Sequence, residues 1–431
     1  MPKHVVIIGN GISGITCARY VRKMSDYQIT VISSESKYFY SRTALMYIYM
    51  GHMKQEHTQP YEPYFWEKNH IDLLQEQVAA INPNGNSISL ASHQTINYDY
   101  LVIATGSKSN KFGWRGQDLQ GVQGLYNLQD LQGMETYTKG IARAVVVGGG
   151  LIGIETVEML LSRNIAVTYL VRENSFWRGI LPQEESEMVN KLFKLHHVDI
   201  QFGTELKEII NDGTGRVGSI VTSKGEMINC GFVALTVGVS PNIEFVKNSG
   251  IETDRGILID DHFCTNYPNI FSAGDCAQFR QALPGRKSLE QVWYTGKMQG
   301  ATVAVNICGK QQVYQPGHWF NSAKFFDLEY QTYGLVLAEK PIDTDWFWWQ
   351  DNLGERGIRL QWNKATKAFT GLNCFGIRIR HEVCNHWLNN QTNITQVVKE
   401  LRKANFDPEF FKSYELAFQV AFQDNISLTN T

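Results

Sequence analysis

The sequence predicts an α/β protein with two doubly wound, parallel-sheet units and a smaller α+β unit at its C-terminal end. Three observations predict this arrangement. An apolar strand, a glycine-rich turn and a helix-like segment follow one another over residues 4–22, and the same succession recurs over residues 144–155. After about residue 318 the pattern changes to alternating apolar runs that are typical of hairpins. The length of 431 residues fits about three domains.

The composition excludes several classes of protein. Lys plus Arg is 40 against 42 for Asp plus Glu, so the net charge is −2. The sequence also shows no basic stripe of the kind that binds nucleic acids, which disfavours a nucleic-acid-binding protein. Hydrophobic residues make up 43% and aromatic residues 12%, well above a disordered chain. The 7 cysteines form no C-x-x-C pair and their number is odd, which disfavours a secreted disulfide framework. With no recognisable signal peptide or spanning segment, we expect a cytoplasmic protein.

The first glycine-rich turn has the G-x-G-x-x-G pattern of a dinucleotide site. Gly9 permits a tight turn, Gly11 lets the backbone approach a pyrophosphate, and Gly14 allows close packing of helix on strand. Glu35 follows the second strand, where a carboxylate accepts hydrogen bonds from ribose hydroxyls. The turn therefore predicts that this unit binds a dinucleotide.

The second turn repeats the pattern with Gly148, Gly150 and Gly153, again between a strand and a helix. Isolated glycines often mark ordinary turns, but two copies with correct flanks make that interpretation improbable. The chain is therefore predicted to bind two dinucleotides.

The segments between and after these turns complete the two units. A hairpin is predicted at residues 83–86, with Asn84-Gly85 as a type I′ turn. A strand ending at Gly106 closes the first unit, and a matching strand ending at Gly238 closes the second. Asp275, which follows another strand and a glycine, is placed to cap a helix or to accept from a polyol hydroxyl.

This ordered set, G-x-G-x-x-G, A-T-G, a second G-x-G-x-x-G, G-x-x-P-N and A-G-D, resembles the pyridine nucleotide–disulfide oxidoreductases over about residues 4–335. The resemblance implies two Rossmann-like domains: an FAD-binding domain in two segments, 1–110 and 239–318, an inserted NAD(P)-binding domain, 111–238, and a C-terminal α+β interface domain, 319–431. It also implies FAD and either NADH or NADPH as cofactors, and a W-x5-Q-G-x5-N helix beside the flavin.

Carried over residue by residue, the resemblance implies site residues in both domains. In the FAD domain these are Gly9, Gly11, Ile12, Ser13, Gly14, Glu35, Ser36, Arg42, Thr43, Ala104, Thr105, Gly106, Gly274, Asp275, Trp293 and Gln299. In the NAD(P) domain they are Gly148, Gly150, Leu151, Ile152, Gly153, Arg172, Glu173, Arg178, Val237 and Gly238. Glu155 and Arg42 are the catalytic candidates, and no metal site is expected.

The sequence departs from the disulfide reductases where their redox cysteines lie. Residues 38–51 contain no cysteine, and Cys17 falls inside the first predicted helix, where a buried structural role is expected. Thiolate chemistry therefore lacks its nucleophile. Residues 40–45 instead resemble the Y-x-R-P-x-L segment of rubredoxin, ferredoxin and nitrite reductases. Many of those relatives place a lysine at the position of Tyr47, paired with the acid that here is Glu155, so the role of Glu155 is either positional or protonic.

The preference between NADH and NADPH stays open. Arg172 and Arg178 follow the second strand of the NAD(P) domain and favour a 2′-phosphate, whereas Glu173 favours a free 2′-hydroxyl. The arginine spacing, which resembles that of an NADPH-using relative, leads us to expect NADPH.

In the C-terminal third, residues 357–362 and 368–372 predict a hairpin, and residues 346–349 form a dense aromatic run. We expect that run to be a core strand rather than a docking surface. His381, Cys384 and His386 share a predicted helix but not one face, which disfavours a metal site. A helix is predicted to begin at residues 407–408, and residues 414–423 to form a helix with one narrow polar stripe, docked on its own chain or on another protein.

These features favour an FAD-dependent NAD(P)H oxidoreductase that passes electrons to a separate acceptor, expected to be a small iron–sulfur or rubredoxin-type protein. One alternative is a peripheral quinone reductase, although membrane contact is disfavoured because the apolar helix at residues 414–423 carries no lysine or arginine. Another is a slow, redox-sensing flavoprotein resembling apoptosis-inducing factor. A homodimer is possible through the C-terminal domain.

Overall fold

The computed structural model of the chain describes residues 2–407, 409 and 413–429. Its strands are β1 His4–Ile8, β2 Gln28–Ser33, β3 Ile71–Gln75, β4 Val78–Asn82, β5 Ser87–Leu90, β6 Thr95–Asn97, β7 Tyr100–Ile103, β8 Ser107–Ser109, β9 Val122–Gln123, β10 Arg143–Val147, β11 Ala166–Val171, β12 Asp199–Phe202, β13 Leu206–Asn211, β14 Val217–Thr222, β15 Met227–Asn229, β16 Phe232–Leu235, β17 Val239–Pro241, β18 Ile257–Ile259, β19 Ile270–Ser272, β20 Ala277–Phe279, β21 Phe320–Phe325, β22 Leu328–Gly334, β23 Thr344–Gln350, β24 Gly357–Asn363 and β25 Phe369–Phe375. Its α-helices are α1 Ile12–Met24, α2 Leu45–Tyr49, α3 Pro63–Lys68, α4 Leu128–Tyr137, α5 Leu151–Ser162, α6 Gln183–Leu195, α7 Trp293–Ile307, α8 His381–Asn389, α9 Ile394–Ala404 and α10 Glu415–Thr429.

The first parallel sheet has the strand order β19-β7-β1-β2-β3. The edge strand β19, residues 270–272, is the last of these strands in the sequence and pairs with β7. The chain therefore leaves this sheet after β7 and returns to it far downstream. The strands β1, β2 and β7 are buried on both faces, as their runs of valine and isoleucine predict. Strand order reverses between β1 and β7, which opens a crevice at the carboxyl edge of the sheet.

The second parallel sheet has the order β12-β11-β10-β16-β9 and draws its strands from residues 122–235. The short strands β8 and β17 pair antiparallel where the chain passes between the two units. The predicted fold class is confirmed by these two sheets and the C-terminal domain, while the exact domain limits stay predictions.

The C-terminal domain is an antiparallel sheet of order β21-β22-β25-β24-β23, covered on one face by α8, α9 and α10. The hairpin predicted at residues 357–372 is confirmed as β24 and β25. The aromatic run forms β23, an edge strand whose alternate side chains face opposite sides, so the core-strand interpretation is also confirmed.

One local prediction is wrong in detail. The hairpin at residues 83–86 forms, but Asn84 and Gly85 do not have the positive φ angles of a type I′ turn. Instead the loop has four residues, with Asn86 left-handed at φ 46° and the Asn82 Oδ1 accepting from the Gly85 amide at 3.1 Å. The helix predicted to begin at residues 407–408 falls outside the described residues, because 408 and 410–412 are not described, and the described helix α10 begins at Glu415.

The last helix docks on its own chain through Phe418 and Phe422, which is one of the two predicted alternatives, but its apolar residues are not all covered. Glu415 is buried and accepts from Asn405 at 3.1 Å, and Gln419 donates to the carbonyl of Val398 at 2.9 Å. Leu416 and Val420 are exposed instead. Two residues of the polar stripe, Glu415 and Gln419, therefore face the domain, where these hydrogen bonds satisfy them, whereas Gln423 is exposed. None of the helices in the described part of the chain is both long and apolar enough to cross a lipid bilayer.

Candidate functional site

A cavity of about 520 Å³ opens at the carboxyl edge of the first sheet, within the range of sites that hold small molecules and cofactors. Its walls come from the turn after β1, the end of β2, the end of β7 and the start of α7. Most of the predicted FAD-domain residues line it: Gly9, Gly11, Ile12, Ser13, Glu35, Arg42, Thr43, Ala104, Thr105, Gly106, Gly274, Asp275 and Trp293. Predicted residues Gly14, Ser36 and Gln299 do not line this cavity.

The turn after β1 is built to bring backbone close to a ligand. Gly9 has φ +110°, and a Cβ there would lie 2.1 Å from the Ala104 carbonyl oxygen. A Cβ on Gly14 would lie 2.0 Å from the Gly9 carbonyl oxygen, so only glycine lets α1 pack this closely. Gly11 has open space beside it, and no described side chain caps α1. The free amides of this helix start fit a dinucleotide pyrophosphate.

At the end of β2, Glu35 is held by its own chain. Arg42 donates to both carboxylate oxygens, at 3.1 and 2.6 Å, and Tyr40 and the Leu128 amide donate to the first of them. Burial favours the neutral acid, but the charge and hydrogen bonds of Arg42 together with the hydrogen bonds from Tyr40 and the Leu128 amide outweigh it and lower the pKa of Glu35. Arg42 also donates to the Tyr126 carbonyl at 2.5 Å. A ribose hydroxyl that binds Glu35 would therefore share this carboxylate with Arg42, which already donates to both of its oxygens.

Asp275 lies in a turn between β19 and β20 and caps no helix, so that part of the prediction is wrong. Ser107 and Tyr126 donate to its Oδ2 at 3.1 and 3.2 Å. Burial nevertheless outweighs these hydrogen bonds and raises the pKa of Asp275. Gln299, from α7, accepts from the Gly274 amide at 2.7 Å, so it positions this turn from behind the cavity wall.

The start of α7 contributes Trp293 to the cavity. Its indole Nε1 is buried and has no hydrogen-bond partner within the described residues. No described side chain caps this helix either. An unpartnered donor and a free helix start suit the polar edge of a flavin, where negative charge builds up on reduction. The residues of this cavity thus fit FAD.

The second glycine turn repeats the construction of the first. Gly148 has φ +112°, and a Cβ on Gly153 would lie 2.3 Å from the Gly148 carbonyl oxygen. Gly150 has open space beside it and begins α5 without a side-chain cap in the described chain. These features fit a second dinucleotide pyrophosphate, although most predicted residues of this unit lie outside the cavity: Gly148, Gly150, Leu151, Gly153, Arg172, Glu173, Arg178, Val237 and Gly238.

Among the predicted residues of the second unit, only Ile152 and Glu155 line the cavity. The two glycine turns with their helix starts, here called the two dinucleotide cradles, therefore meet at this cavity. Glu155 is half-buried on α5. Burial, and then the negative charge of Glu158, raise the pKa of Glu155 to about 7. At the end of β11, Arg172 pairs with the neighbouring Glu173 at 2.8 Å, and Arg178 is exposed.

No cysteine is found among the described residues that line the cavity. Cys17 is buried in α1, as predicted, and burial raises the pKa of its thiol. Away from the cavity, three residues weighed above as metal ligands lie in α8, namely His381, Cys384 and His386, which confirms the predicted helix. Thiol–disulfide exchange at the cavity therefore has no nucleophile in this wall.

The sequence did not identify several residues that shape the site. Tyr126 accepts from the Ser107 amide at 2.8 Å and contacts Asp275, which is far away along the chain. Asn10 donates to the Ser36 carbonyl at 2.7 Å and so fixes the loop after β2. Only Asn10 had a local signal, since it lies inside the glycine turn. The contacts of Tyr126 arise solely from tertiary packing.

Comparison with known proteins agrees with this geometry. The sequence profile of the family "pyridine nucleotide-disulphide oxidoreductase" matches residues 3–306. A protein of Methanocaldococcus jannaschii named NADH oxidase is 30% identical over 77% of this chain and 76% of its own length. The ferredoxin reductase component of chlorobenzene dioxygenase from a Cupriavidus species is 29% identical over 72% and 75%. A solved ferredoxin reductase from Rhodopseudomonas palustris shares the fold, with a TM-score of 0.79, 22% identity and coverage of 87% and 91%.

The family match spans well over half of the chain and includes both glycine turns and Asp275. The chain therefore belongs to the pyridine nucleotide–disulphide oxidoreductase family and is an FAD-dependent NAD(P)H oxidoreductase.

Proposed function

We propose that this oxidoreductase delivers electrons from its flavin to a separate small redox protein of the iron–sulfur or rubredoxin type. The observation that carries the proposal is the cavity wall, which presents the ring of Trp293 and, among its described residues, no thiol. The Cupriavidus relative is named as a ferredoxin reductase component, which supports the same class of acceptor.

An aromatic path leads from the cavity to the surface. The rings of Trp293 and Tyr294 have centroids 5.4 Å apart, and Tyr294 is 36% exposed. Phe320, at the start of β21, lies 5.1 Å from Tyr294. The surface around Tyr294 is therefore our proposed docking site for the acceptor, since an exposed aromatic side chain next to the cofactor shortens the distance that electrons cross.

When bound, FAD would supply the redox chemistry, since an isoalloxazine ring can accept a hydride and release the electrons singly. The chain supplies position and electrostatics. Gly9, Gly11 and the start of α1 bind the FAD pyrophosphate, and Asp275 accepts from the hydroxyls of the FAD chain. Gly148, Gly150 and the start of α5 bind the second dinucleotide. Glu155 lies where the two cradles meet and holds or moves a proton there.

Three finer statements belong to the same proposal. The FAD domain comprises residues 1–110 and 239–318, and the NAD(P) domain residues 111–238. NADPH is the preferred donor, through Arg172 and Arg178. The C-terminal domain, residues 319–431, contributes to a homodimer, which light scattering of the purified protein tests directly.

The test is an anaerobic stopped-flow experiment with the FAD-loaded protein. NADPH or NADH is expected to bleach the flavin rapidly, after which rubredoxin, a [2Fe–2S] ferredoxin, dioxygen and a short-chain quinone are offered in turn. Tyr294→Ser should lower turnover with the protein acceptor by about tenfold and leave flavin reduction and ferricyanide turnover unchanged. Tyr64→Ser, which removes another exposed tyrosine, on α3, is the matched control. Equal turnover in both variants, or faster oxidation by dioxygen than by either protein, contradicts the proposal.

Dioxygen is the second candidate acceptor, because the Methanocaldococcus relative is named NADH oxidase. Quinone ranks behind it, and the exposed side chains of Leu416 and Val420 on α10 are the observation in its favour. The acceptor panel separates these functions by relative rate.

A further inference from the structure

Three charged side chains from two domains meet behind one wall of the cavity. Glu155, on α5, lines the cavity, and Glu158 follows it one helical turn later. Lys324, on β21 of the C-terminal domain, donates its Nζ to Glu158 Oε1 at 3.0 Å. The second oxygen of Glu158 is buried and has no hydrogen-bond partner among the described residues. The ion pair of this cluster therefore connects α5 with the C-terminal sheet.

The spacing of the two acids places them on one face of α5, because residues three apart in a helix are neighbours. Like charges at this spacing repel, so each acid resists the ionisation of the other. Burial and the charge of Glu158 together raise the pKa of Glu155 to about 7. A carboxyl group that exchanges its proton near neutral pH therefore lies at the meeting point of the two dinucleotide cradles.

Lys324 supplies a positive charge beside the two acids, whereas neither α2 nor α5 contains a lysine or an arginine. Residue 47, on α2, is a tyrosine and packs near Lys324. Desolvation lowers the pKa of Lys324, but the hydrogen bond to Glu158 together with the negative charges of Glu158, Tyr47 and Asp327 outweighs it and raises the pKa, so the ammonium stays charged. Two further ionisable groups act on Lys324, namely Tyr47 on α2 and Asp327 after β21. The ionisable groups that line the same cavity as Glu155 are Glu35, Tyr40, Arg42, Glu76, Tyr126, Glu244 and Asp275.

We propose that Glu155, Glu158 and Lys324 form one proton-exchanging unit, in which Glu155 takes up and releases the proton and Lys324 acts as a positioning residue through Glu158. When an electron pair enters the cavity, its negative charge draws one proton from solvent onto the Glu155 carboxylate. When the electrons leave, that proton returns to solvent. The carboxyl group itself is neither oxidised nor reduced, and only its O–H bond forms and breaks.

This inference rests on the FAD-dependent activity of the family and is independent of the acceptor. The experiment measures the midpoint potential of the flavin in the holoprotein from pH 5.5 to 9 by spectroelectrochemistry, without any acceptor. Redox-triggered infrared difference spectra of the same samples report whether a carboxyl group gains a proton. Failure of the acceptor panel therefore leaves this test intact, and failure of this test leaves the acceptor proposal intact.

In the wild-type protein, the slope of potential against pH should change near pH 7, and a carboxyl band should appear on reduction. Glu155→Gln should remove both signals. Lys324→Met should move the change to higher pH by on the order of one pH unit, because Glu158 then acts on Glu155 without a compensating cation. Glu158→Gln should move it to lower pH. Lys324→Arg, which keeps the charge, should restore the wild-type profile.

The double variant Lys324→Met with Glu158→Gln distinguishes positioning from simple packing. If Lys324 acts through Glu158, the double variant should match Glu158→Gln alone. Flavin content and circular dichroism confirm that each variant is folded, and Lys324→Arg and Glu158→Gln keep the test valid if Lys324→Met loses flavin. A slope change that persists in Glu155→Gln, or that Lys324→Met and Glu158→Gln both leave unmoved, overturns the proposal.

Discussion

Arg359 and Glu185 form an ion pair between the C-terminal sheet and the second nucleotide unit, with Nε and Oε1 2.5 Å apart and both side chains fully buried. Glu184 accepts from the same guanidinium at 2.8 Å, and Asn373 donates to the second oxygen of Glu185 at 2.7 Å. The ring of Trp346 lies over the guanidinium at 4.4 Å. The ion pair thus joins two domains, and the ring of Trp346 covers its buried charge, so this ring is not free for docking.

Removal of one partner of this pair should destabilise the protein strongly. Arg359→Met leaves Glu185 as an uncompensated acid in an apolar interface, and we expect a loss of about 3–5 kcal/mol in the free energy of unfolding. Urea unfolding followed by tryptophan fluorescence measures it. The double variant Arg359→Met with Glu185→Gln should recover much of the loss, because the glutamine stays hydrogen-bonded to Asn373 without a charge. A single-variant loss below about 1 kcal/mol would show that solvent reaches the pair.

The hydroxyl of Tyr126 should matter for FAD binding although Tyr126 lies in no recognisable motif. Tyr126→Phe removes a donor to Asp275 and an acceptor for the Ser107 amide, so the Asp275 turn loses a fixed orientation. We expect FAD affinity to fall by about tenfold, as measured by flavin fluorescence during titration of the apoprotein. Tyr64→Phe on the exposed surface is the control and should bind FAD as the wild type does.

The contrast between Gly11 and Tyr126 explains how much of the site was predictable from the sequence. The glycine turn is local: a strand, Gly9, Gly11 and a helix specify one conformation whatever the rest of the chain does. Tyr126 and Lys324 reach the site only because distant elements pack together. No periodicity or spacing in the sequence encodes the contact of Lys324 with Glu158, so that part of the site had to come from the structure.

The same reason applies to the fold. Apolar strands and their glycine turns predicted both parallel sheets, because the central strands β1 and β10 are buried on two faces. The last helix was harder, since periodicity indicated that most of its apolar circumference would be covered. In fact Glu415 and Gln419 bond to neighbouring segments, whereas Leu416 is exposed. The helical periodicity predicts that these polar residues share one face, but it does not predict whether that face lies against the domain or in solvent.

The ion pair between Glu35 and Arg42 should make stability depend on acid pH. The pKa of Glu35 is lowered in the folded protein, so the pair contributes stability above the ordinary carboxyl value of 4.5 and loses it as the pH falls through the folded value. Glu35→Gln should therefore be less stable than the wild type at pH 7, and the difference should shrink on acidification. Thermal unfolding of both proteins between pH 3 and 7 measures this. A constant difference across that range would assign the effect to packing instead.

The nucleotide preference should depend on Arg172, which lies directly after β11 and is exposed except for its contact with Glu173. A 2′-phosphate can take the place of the Glu173 carboxylate on this guanidinium. Arg172→Glu should then raise the KM for NADPH by about tenfold or more, because a charge-assisted hydrogen bond is lost and a repulsion is added. The KM for NADH should change little. Steady-state kinetics with ferricyanide as acceptor measures both constants.

Two further variants make this prediction specific. Arg115→Glu changes an exposed arginine that pairs with Glu208 on β13, away from the end of β11, and should leave both KM values unchanged. Glu173→Gln should raise the KM for NADH if that acid accepts from the 2′-hydroxyl, and should lower the KM for NADPH because it releases Arg172. Equal changes for the two nucleotides in Arg172→Glu would remove Arg172 from the 2′ position and leave Arg178 as the candidate.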